Sequence, residues 1–435
     1  MYISRLALDH FRSWSQVVVD FAPGVNVLHG PNGLGKTNLV EAIEVLSTGG
    51  SHRVSSSLPL VERGEGKATI RANVSPSEAD ADPTTYEVTI AARGANRARI
   101  NSGTSQYLRD IVGLVPSVSF TPDDQRLVNA EPAARRGFID RSGSQLIPRY
   151  AECLQRFTQI ARQRAALLKQ LGQHEGSVDA ALSGLEVWTG QFIEAGVALT
   201  RMRDELMRSL ADPFSTIYDR LASGQGKAEI SYRPSLDEVF ASDSPELAIS
   251  EHFQRLYQGE VARGVNLIGP QRDDFAILLD GVPAKEFASN GEMWTMALAL
   301  KMALFEVIAR SRGVKPIVIL DDVFAQLDES RRAQILDFAR KQDQVIITAA
   351  AEGDIPQDAR ANIIDVAALK AHADPFADMI AVLAGASGAS GASGSSEASG
   401  ASDPSESSDS SESSDSSESS DSVASIPPSE NEGRS

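Results

Sequence analysis

Residues 30–37 read GPNGLGKT and match the pattern G-x-x-x-x-G-K-[ST]. An apolar, strand-like run, Val25–Leu28, precedes them, and a helical stretch, Asn38–Leu46, follows. Glycines at this spacing let the backbone curl so that successive N–H groups point at phosphate oxygens, and the following helix presents its positive end to them. The pattern therefore predicts an α/β fold with a nucleotide site.

Two residues of this loop have further predicted roles. The ammonium of Lys36 can reach the β- and γ-phosphates, and the hydroxyl of Thr37 can bind Mg²⁺. The predicted phosphate contacts are Gly30, Pro31, Asn32, Gly33, Leu34, Gly35, Lys36 and Thr37.

The apolar run Ile317–Leu320 ends in two acidic residues, Asp321 and Asp322. A carboxylate at the end of a buried strand can bind Mg²⁺ beside a phosphate loop, and its neighbour can orient the attacking water. We therefore predict Asp321 as a Mg²⁺ ligand together with Thr37, and Asp322 as a catalytic residue together with Lys36. Lys36 and Asp321 are 285 residues apart, so a large insertion separates the two halves of the site.

A second anion site is predicted at Ser289 and Gly291, directly before a helix that we expect to run from Met293 to about Arg312. Its position ahead of the acidic strand resembles the signature motif of ABC-type ATPases, and Ala325–Asp328 falls where that class has its D-loop. This resemblance implies that Ser289 and Gly291 contact the γ-phosphate of an ATP bound by a second subunit.

The spacing of apolar residues changes in the middle of the chain. Apolar residues recur at three- and four-residue steps between about residues 146 and 206, with a polar break at 172–176, which predicts a helical hairpin. Apolar and polar residues that alternate over 68–101 predict antiparallel hairpins. The predicted architecture is a P-loop ATPase head of the ABC type formed by 1–130 and 260–370, with a helical arm inserted at 131–259.

The C-terminal segment, residues 385–435, is rich in Ser, Gly and acidic residues and has a carboxylate at every third position from Glu406 to Asp421. Such a composition buries too little apolar surface to fold, so we predict a disordered acidic tail. It contributes −9 to the formal net charge of −18, and the body therefore carries only −9. A mildly acidic body does not exclude nucleic-acid binding, because the clustering of basic residues decides it.

A cytoplasmic protein is predicted from three further features. The single cysteine, Cys153, cannot form an internal disulfide. The N-terminus carries charges where a signal peptide would be apolar, and no apolar run is long enough to span a membrane.

Seven segments, in order over about residues 1–365, resemble the bacterial RecF family of DNA replication and repair proteins. They are residues 27–53, 119–124, 135–140, 161–170, 269–275, 287–292 and 320–328. Asn290 and Gln271 stand where the family usually has other residues.

The resemblance implies an SMC-like ABC ATPase head with a short helical arm, which binds ATP and Mg²⁺ and forms a homodimer on ATP. It implies weak, DNA-dependent ATP hydrolysis and binding to single-stranded, gapped or junction DNA. It also implies work beside RecO and RecR in recombinase loading, DNA replication and the SOS response, with no membrane partner.

Basic residues concentrate at Arg93–Arg99 and between Arg135 and Lys169. Backbone phosphates need cations in a row, and a helix face that carries arginine supplies them without reading sequence. The predicted DNA contacts are Arg135, Arg136, Arg162 and Arg164.

Two alternatives remain open at this stage. A transport- or translation-associated ABC ATPase is disfavoured by the inserted helical arm. A scaffold with a vestigial, non-hydrolysing nucleotide site is disfavoured because Lys36, Asp321 and Asp322 are all present.

Overall fold

The computed structural model describes residues 1–54, 56–76, 82–173, 178–327, 329–350 and 362–373. The predicted tail at 385–435 and Asp328 of the predicted D-loop lie outside these residues. None of the helices in the described part of the chain is both long enough and apolar enough to cross a membrane.

Strands and helices alternate at both ends of the chain, with helices dominating the middle, which confirms the predicted α/β class. The strands are β1 (Tyr2–Phe11), β2 (Trp14–Asp20), β3 (Gly24–His29), β4 (Lys67–Ser75), β5 (Thr84–Ala91), β6 (Arg97–Ile100), β7 (Gln106–Tyr107), β8 (Ser117–Phe120), β9 (Ala228–Arg233), β10 (Asp274–Leu279), β11 (Val282–Pro283), β12 (Ile317–Asp321), β13 (Gln344–Ala349) and β14 (Asn362–Asp365). The helices are α1 (Lys36–Thr48), α2 (Arg126–Asn129), α3 (Pro132–Leu146), α4 (Tyr150–Gln173), α5 (Val178–Leu221), α6 (Glu238–Ala241), α7 (Pro245–Arg263), α8 (Ala284–Phe287), α9 (Asn290–Arg312), α10 (Glu329–Ala339) and α11 (Val366–Ala373).

A parallel sheet with the order β14-β3-β13-β12-β8 positions the nucleotide motifs. All its pairings are parallel, so the carboxyl ends of β3, β12, β13 and β8 meet at one edge. Ligands of open α/β sheets bind at that edge, where the loops after the strands converge. The residues that follow β3 and those that end β12 therefore become neighbours.

The parallel sheet is buried on both faces. Val318 and Leu320 pack into a core with α5 and α9, whereas Ile317 and Ile319 pack into a second core with α1 and the antiparallel sheet. Successive side chains of a strand point to opposite faces, so one uniformly apolar strand serves both cores.

The antiparallel sheet has the order β2-β1-β4-β5-β6-β7 within the described residues. Strands β4, β5 and β6 pair as consecutive hairpins, as the alternation over 68–101 predicted.

Helices α4 and α5 pack along each other and α7 packs against both, around a core that includes Phe157, Phe192 and Phe253. The predicted domain boundary at 259/260 falls inside α7, and β9 pairs with β10 across it. The division into head and arm remains a prediction.

Candidate nucleotide site

The phosphate loop runs from the end of β3 to the start of α1. Gly30, Gly33 and Gly35 have φ values of +151°, +87° and +99°, a region that glycine enters without steric cost. A Cβ atom on Gly35 would lie 2.7 Å from Nε1 of Trp14, so close packing also requires glycine there. The loop thus has the backbone shape that the sequence pattern requires for holding phosphate.

Lys36 lies inside this loop and is 4% exposed. Its ammonium donates to the carbonyl oxygens of Gly30 and Pro31 at 2.6 and 3.1 Å and to Oδ1 of Asn32 at 3.3 Å. No carboxylate among the described residues pairs with it. Its charge is therefore held by neutral oxygens and is available to a phosphate.

The turn between β1 and β2 supports the loop from outside the predicted motif. Trp14 is fully buried and its indole N–H donates to the carbonyl of Gly35 at 3.1 Å. Ser13 accepts a hydrogen bond from the side chain of Asn38 at 2.8 Å, and the ammonium of Lys370 stands 4.5 Å over the Trp14 ring. We did not predict these contacts, because nothing in the order of residues indicates that positions 13 and 370 meet the loop.

Asp321 ends β12 opposite the phosphate loop and is 7% exposed. Its Oδ1 accepts hydrogen bonds from the hydroxyls of Thr348, at 2.7 Å, and Thr37, at 3.2 Å. Burial raises the pKa of Asp321 and the nearby charge of Asp322 adds to this rise, whereas the two hydroxyls act in the opposite direction. The carboxylate is buried without an Arg or Lys partner among the described residues.

This donor set fits Mg²⁺, which takes hard oxygen ligands and usually binds through one or two protein groups plus substrate phosphates. Within the described residues, no three His, Cys, Asp or Glu side chains cluster closely enough to hold a metal alone. Thr37 and Asp321 are in hydrogen-bond contact and could each contribute one oxygen.

Asp322 follows directly and has a left-handed backbone, with φ at +53°. Such a conformation costs free energy in a non-glycine residue and often occurs at functional sites. Its backbone N–H donates to the hydroxyl of Thr348 at 2.9 Å. One threonine on the neighbouring strand thus holds both acidic residues.

A small cavity of about 10 Å³ adjoins Thr37 and Asp321 and is also lined by Glu44 and His52. Nδ1 of His52 lies 2.6 Å from Oε2 of Glu44. Burial acts to raise the pKa of Glu44, but the hydrogen bond and charge of His52, with a contribution from Arg141, leave it lowered. We missed these residues, although Thr37 and Glu44 are seven positions apart on α1 and so lie on one helix face.

Ser289 caps α9, which begins at Asn290 and not at the predicted Met293. The Ser289 hydroxyl accepts from the N–H of Glu292 at 3.3 Å, and the Glu292 carboxylate accepts from the N–H of Ser289 at 2.7 Å. Because of this reciprocal capping box, α9 begins three residues earlier than the apolar periodicity indicates. A Cβ on Gly291 would lie 2.5 Å from a guanidinium nitrogen of Arg331, so a larger residue there would require that flexible side chain to shift.

Among the described residues, no hydrogen bond joins Ser289 or Gly291 to the phosphate loop. Ser289 is exposed, and the neighbouring Phe287 is 68% exposed. The N-terminus of α9 is therefore open to a group from outside this part of the chain.

The structure argues against two of the predicted DNA contacts. Arg135 is buried and makes a two-point ion pair with Asp274, at 2.6 and 2.9 Å. Arg164 is 2% exposed and pairs in the same way with Glu260, at 2.6 and 3.0 Å. A buried guanidinium whose nitrogens already bond a carboxylate and other protein groups cannot also reach a DNA phosphate.

The other two predicted contacts differ from these. Arg136 is half-buried and donates to the carbonyl of Asp273 at 3.0 Å. Arg162 is exposed and makes no hydrogen bond or ion pair with another described residue. Of the four predicted contacts, Arg162 remains the best placed to meet a nucleic acid.

Known proteins are similar to this chain. A family model described as the RecF/RecN/SMC N terminal domain matches residues 2–370. The DNA replication and repair protein RecF of Bifidobacterium longum subsp. infantis is 67% identical over 372 residues, covering 85% of this chain and 90% of that protein. The RecF of Bifidobacterium adolescentis is 63% identical, covering 89% of this chain and 98% of that protein.

A solved structure is also similar. It is described as the recombination mediator protein RecF-ATPrS in the RecFOR pathway, and it matches with a TM-score of 0.73 at 27% identity. The match covers 84% of this chain and 97% of that one. A second structure, of RecF-ATP in the same pathway, matches with a TM-score of 0.72.

Proposed function

Because this chain belongs to the RecF/RecN/SMC family, and within it to the RecF proteins, we propose that it is an ATP- and DNA-binding protein of DNA replication and recombinational repair. The observation that carries this proposal is the convergence of Lys36, Thr37, Asp321 and Asp322 at one edge of the parallel sheet. The similarity to RecF structures described with ATP and ATPrS supports ATP as the nucleotide.

Each residue of the site has a separate role in slow ATP hydrolysis. The N–H groups of the phosphate loop and the ammonium of Lys36 bind the phosphate oxygens, and Lys36 neutralises charge as the terminal phosphoryl group departs. Thr37 and Asp321 would hold Mg²⁺, which supplies further positive charge at the phosphates. Asp322 orients the attacking water, and Thr348 binds the carboxylate of Asp321 and the backbone N–H of Asp322.

Dimerisation on ATP is the second element of the proposal. Ser289 and Gly291 lie at an exposed helix N-terminus, which favours negative charge. Among the described residues they make no hydrogen bond to their own phosphate loop, and we assign them to the γ-phosphate bound by a second copy of the chain. The exposed Phe287 beside them provides apolar surface for such an interface.

The partners follow from the family. We propose that the ATP-bound dimer acts at gapped or single-stranded DNA with RecO and RecR, helps to load recombinase and supports the SOS response. The similar RecF structures are described as part of the RecFOR pathway, which supports RecO and RecR as partners.

Fluorescence anisotropy of a gapped duplex, titrated with protein at fixed salt under ATP and then ADP, tests this function. We expect tighter binding with ATP than with ADP, and loss of that difference in Lys36→Ala. Lys341→Ala is a matched control, because Lys341 is exposed and pairs only with surface groups at the opposite end of β13. Absence of DNA binding in both nucleotide states, with and without RecR, would contradict the proposal.

Light scattering at saturating ATP tests the dimer separately. Ser289→Glu places a negative charge at the proposed γ-phosphate contact, so we expect it to remain monomeric while the wild-type chain doubles in mass. A wild-type chain that stays monomeric with ATP would remove the dimer from the proposal. Stimulation of ATP hydrolysis by membranes or ribosomes, but not by DNA, would favour the transport or translation alternative.

A further inference from the structure

A groove of about 820 Å³ lies between α4 and the edge of the antiparallel sheet. We call it the α4 groove. One wall is the face of α4 that carries Gln155, Gln159 and Arg162, and the other includes Asn96, Tyr107 and Arg109. Neither the residues of the phosphate loop nor Asp321 line this groove.

The charges that line this groove have one sign. Arg109 and Arg162 are its charged lining residues, and no carboxylate lines it among the described residues. Arg162 has no hydrogen-bond or ion-pair partner there, and Arg109 donates to Oε1 of Gln155 at 2.7 Å. Nε of Arg109 also forms an ion pair with Oδ1 of Asp110 at 3.7 Å, and Asp110 does not line the groove. In a chain of negative net charge, a groove of this composition attracts anions.

Tyr107 contacts Arg109 and one further cation, Arg97. The guanidinium carbons of Arg97 and Arg109 lie 4.1 and 4.2 Å from the centre of its ring. A cation–π contact orients an arginine without neutralising it, in contrast to the carboxylates that pair with Arg135 and Arg164.

From these features we infer that the α4 groove binds the backbone of single-stranded DNA. Proteins that bind single strands combine a cationic groove with aromatic and arginine side chains on which bases can stack. Amide side chains such as Gln159 and Asn96 can donate to phosphates and to base edges. A groove of about 820 Å³ has room for a short run of one strand.

This inference rests on the proposed DNA binding and assigns a place to it. It replaces the buried Arg135 and Arg164 with Arg109 and Arg162, which line the groove, and with Arg97, which stands over the same Tyr107 ring as Arg109.

Anisotropy of a labelled 20-nucleotide oligothymidylate, titrated with the full chain and ATP at several salt concentrations, tests the groove. We expect Arg109→Ala and Arg162→Ala each to weaken binding and to reduce the slope of log K against log salt by about 0.7, the value for one phosphate contact on a single strand. Gln159→Glu brings a carboxylate into the groove and should weaken binding without removing a cation. Arg156→Ala is the matched control on α4, because Arg156 pairs with Glu194 and does not line the groove.

ATP hydrolysis without DNA supplies a second measurement. Arg109→Ala and Arg162→Ala should keep the turnover of the wild-type chain, because neither residue touches the nucleotide site, and should lose stimulation by the oligonucleotide. A loss of DNA-free turnover would indicate a structural role and would overturn the inference.

Two further outcomes separate this inference from the proposed function. If the wild-type chain binds the oligonucleotide and all three variants bind it equally well, the groove is not the site but DNA binding stands. If the variants lose affinity only for a duplex probe, the single-strand assignment is wrong. If the wild-type chain binds neither probe, the proposed function itself fails.

Discussion

Asp273 and Asp321 are both buried aspartates, and each is followed by a second aspartate. Asp273 directly precedes β10 and Asp321 is the last residue of β12. Their surroundings differ. Asp273 is fully buried and accepts hydrogen bonds from the guanidinium of Arg203, the hydroxyl of Tyr232 and the N–H of Ser235. Asp321 accepts from two hydroxyls and from no cation among the described residues. The first carboxylate is neutralised within the fold, and the second is left short of positive charge.

The presence or absence of a lysine or arginine partner distinguishes the Asp–Asp pairs of this chain. Three Asp–Asp pairs occur in the chain, at 123–124, 273–274 and 321–322. Asp124 pairs with Lys301, Asp273 with Arg203 and Asp274 with Arg135. At 321–322 the described residues supply no lysine or arginine, and this is the pair beside the phosphate loop. A buried carboxylate that lacks a cation is suited to bind one from solution.

Removing the cation from the neutralised site should have the largest effect. Arg203→Ala leaves Asp273 and Asp140 without their shared partner, so we expect it to lower the free energy of unfolding by about 3–5 kcal/mol. Urea unfolding followed by tryptophan fluorescence measures this.

Arg201→Ala is the matched control for that experiment. Arg201 lies two residues away on α5, is exposed and has no ion pair among the described residues, so its loss should change the free energy by about 0.5 kcal/mol or less. Equal urea midpoints for the two variants would mean that the buried ion pairs do not stabilise the fold.

Breaking the support of the other site should affect activity more than stability. Thr348→Val removes the hydroxyl that donates to Asp321 and accepts from the N–H of Asp322. We expect kcat for ATP to fall about tenfold, the equivalent of one hydrogen bond of roughly 1.4 kcal/mol, with little change in KM. Thr348→Ser retains the hydroxyl and should retain activity; equal activity of the Val and Ser variants would remove Thr348 from the site.

Replacing aspartate with asparagine should change the stability of the fold in opposite directions at Asp321 and Asp273. The pKa of Asp321 is raised in the folded chain, so the folded state binds the proton more tightly than the unfolded state does. Stability therefore falls as pH rises through the range above the ordinary carboxyl pKa, and at neutral pH Asp321→Asn should raise the melting temperature of the nucleotide-free chain. Asp273→Asn should lower it, because Arg203 loses a charged partner.

Thermal unfolding at pH 7 and at pH 3.5 tests these signs. The advantage of Asp321→Asn should shrink markedly at the lower pH, where most Asp321 side chains are protonated in both states. Addition of MgATP should stabilise the wild-type chain more than this variant. A lower melting temperature for Asp321→Asn at pH 7 without nucleotide would show that the site is not short of positive charge.

An exposed pair should have the smallest effect. His10 contacts Glu62 at 2.7 Å, and this hydrogen bond raises the pKa of His10. Its stabilisation is fully present below the ordinary histidine pKa and is lost as pH rises through the raised value. Because the pair is largely solvated, His10→Gln should cost about 0.5 kcal/mol or less at pH 6 and nothing at pH 9. A cost at pH 6 as large as that of Arg203→Ala would contradict the distinction between buried and exposed pairs.

Much of the site was predictable because its motifs are local. The glycines of the phosphate loop are required by backbone angles that only a few adjacent residues set, and the apolar strand before Asp321 is recognisable from its own composition. The start of α9 was predicted three residues late, because a capping box replaces apolar periodicity in the first turn. The supports of the site, Trp14 and Thr348, come from strands that are distant in sequence and adjacent only in the folded sheets.

The order of residues was sufficient to establish the α/β class, the phosphate loop, the acidic strand end and the family, because each depends on a short pattern or on an ordered series of them. Tertiary structure alone decided which charged residues are satisfied. Arg162 and Arg164 are two positions apart on one helix, and one is exposed in a cationic groove while the other is buried against Glu260. Whether a charge is available for function depends on burial and on partners about a hundred residues away, and local sequence does not encode either.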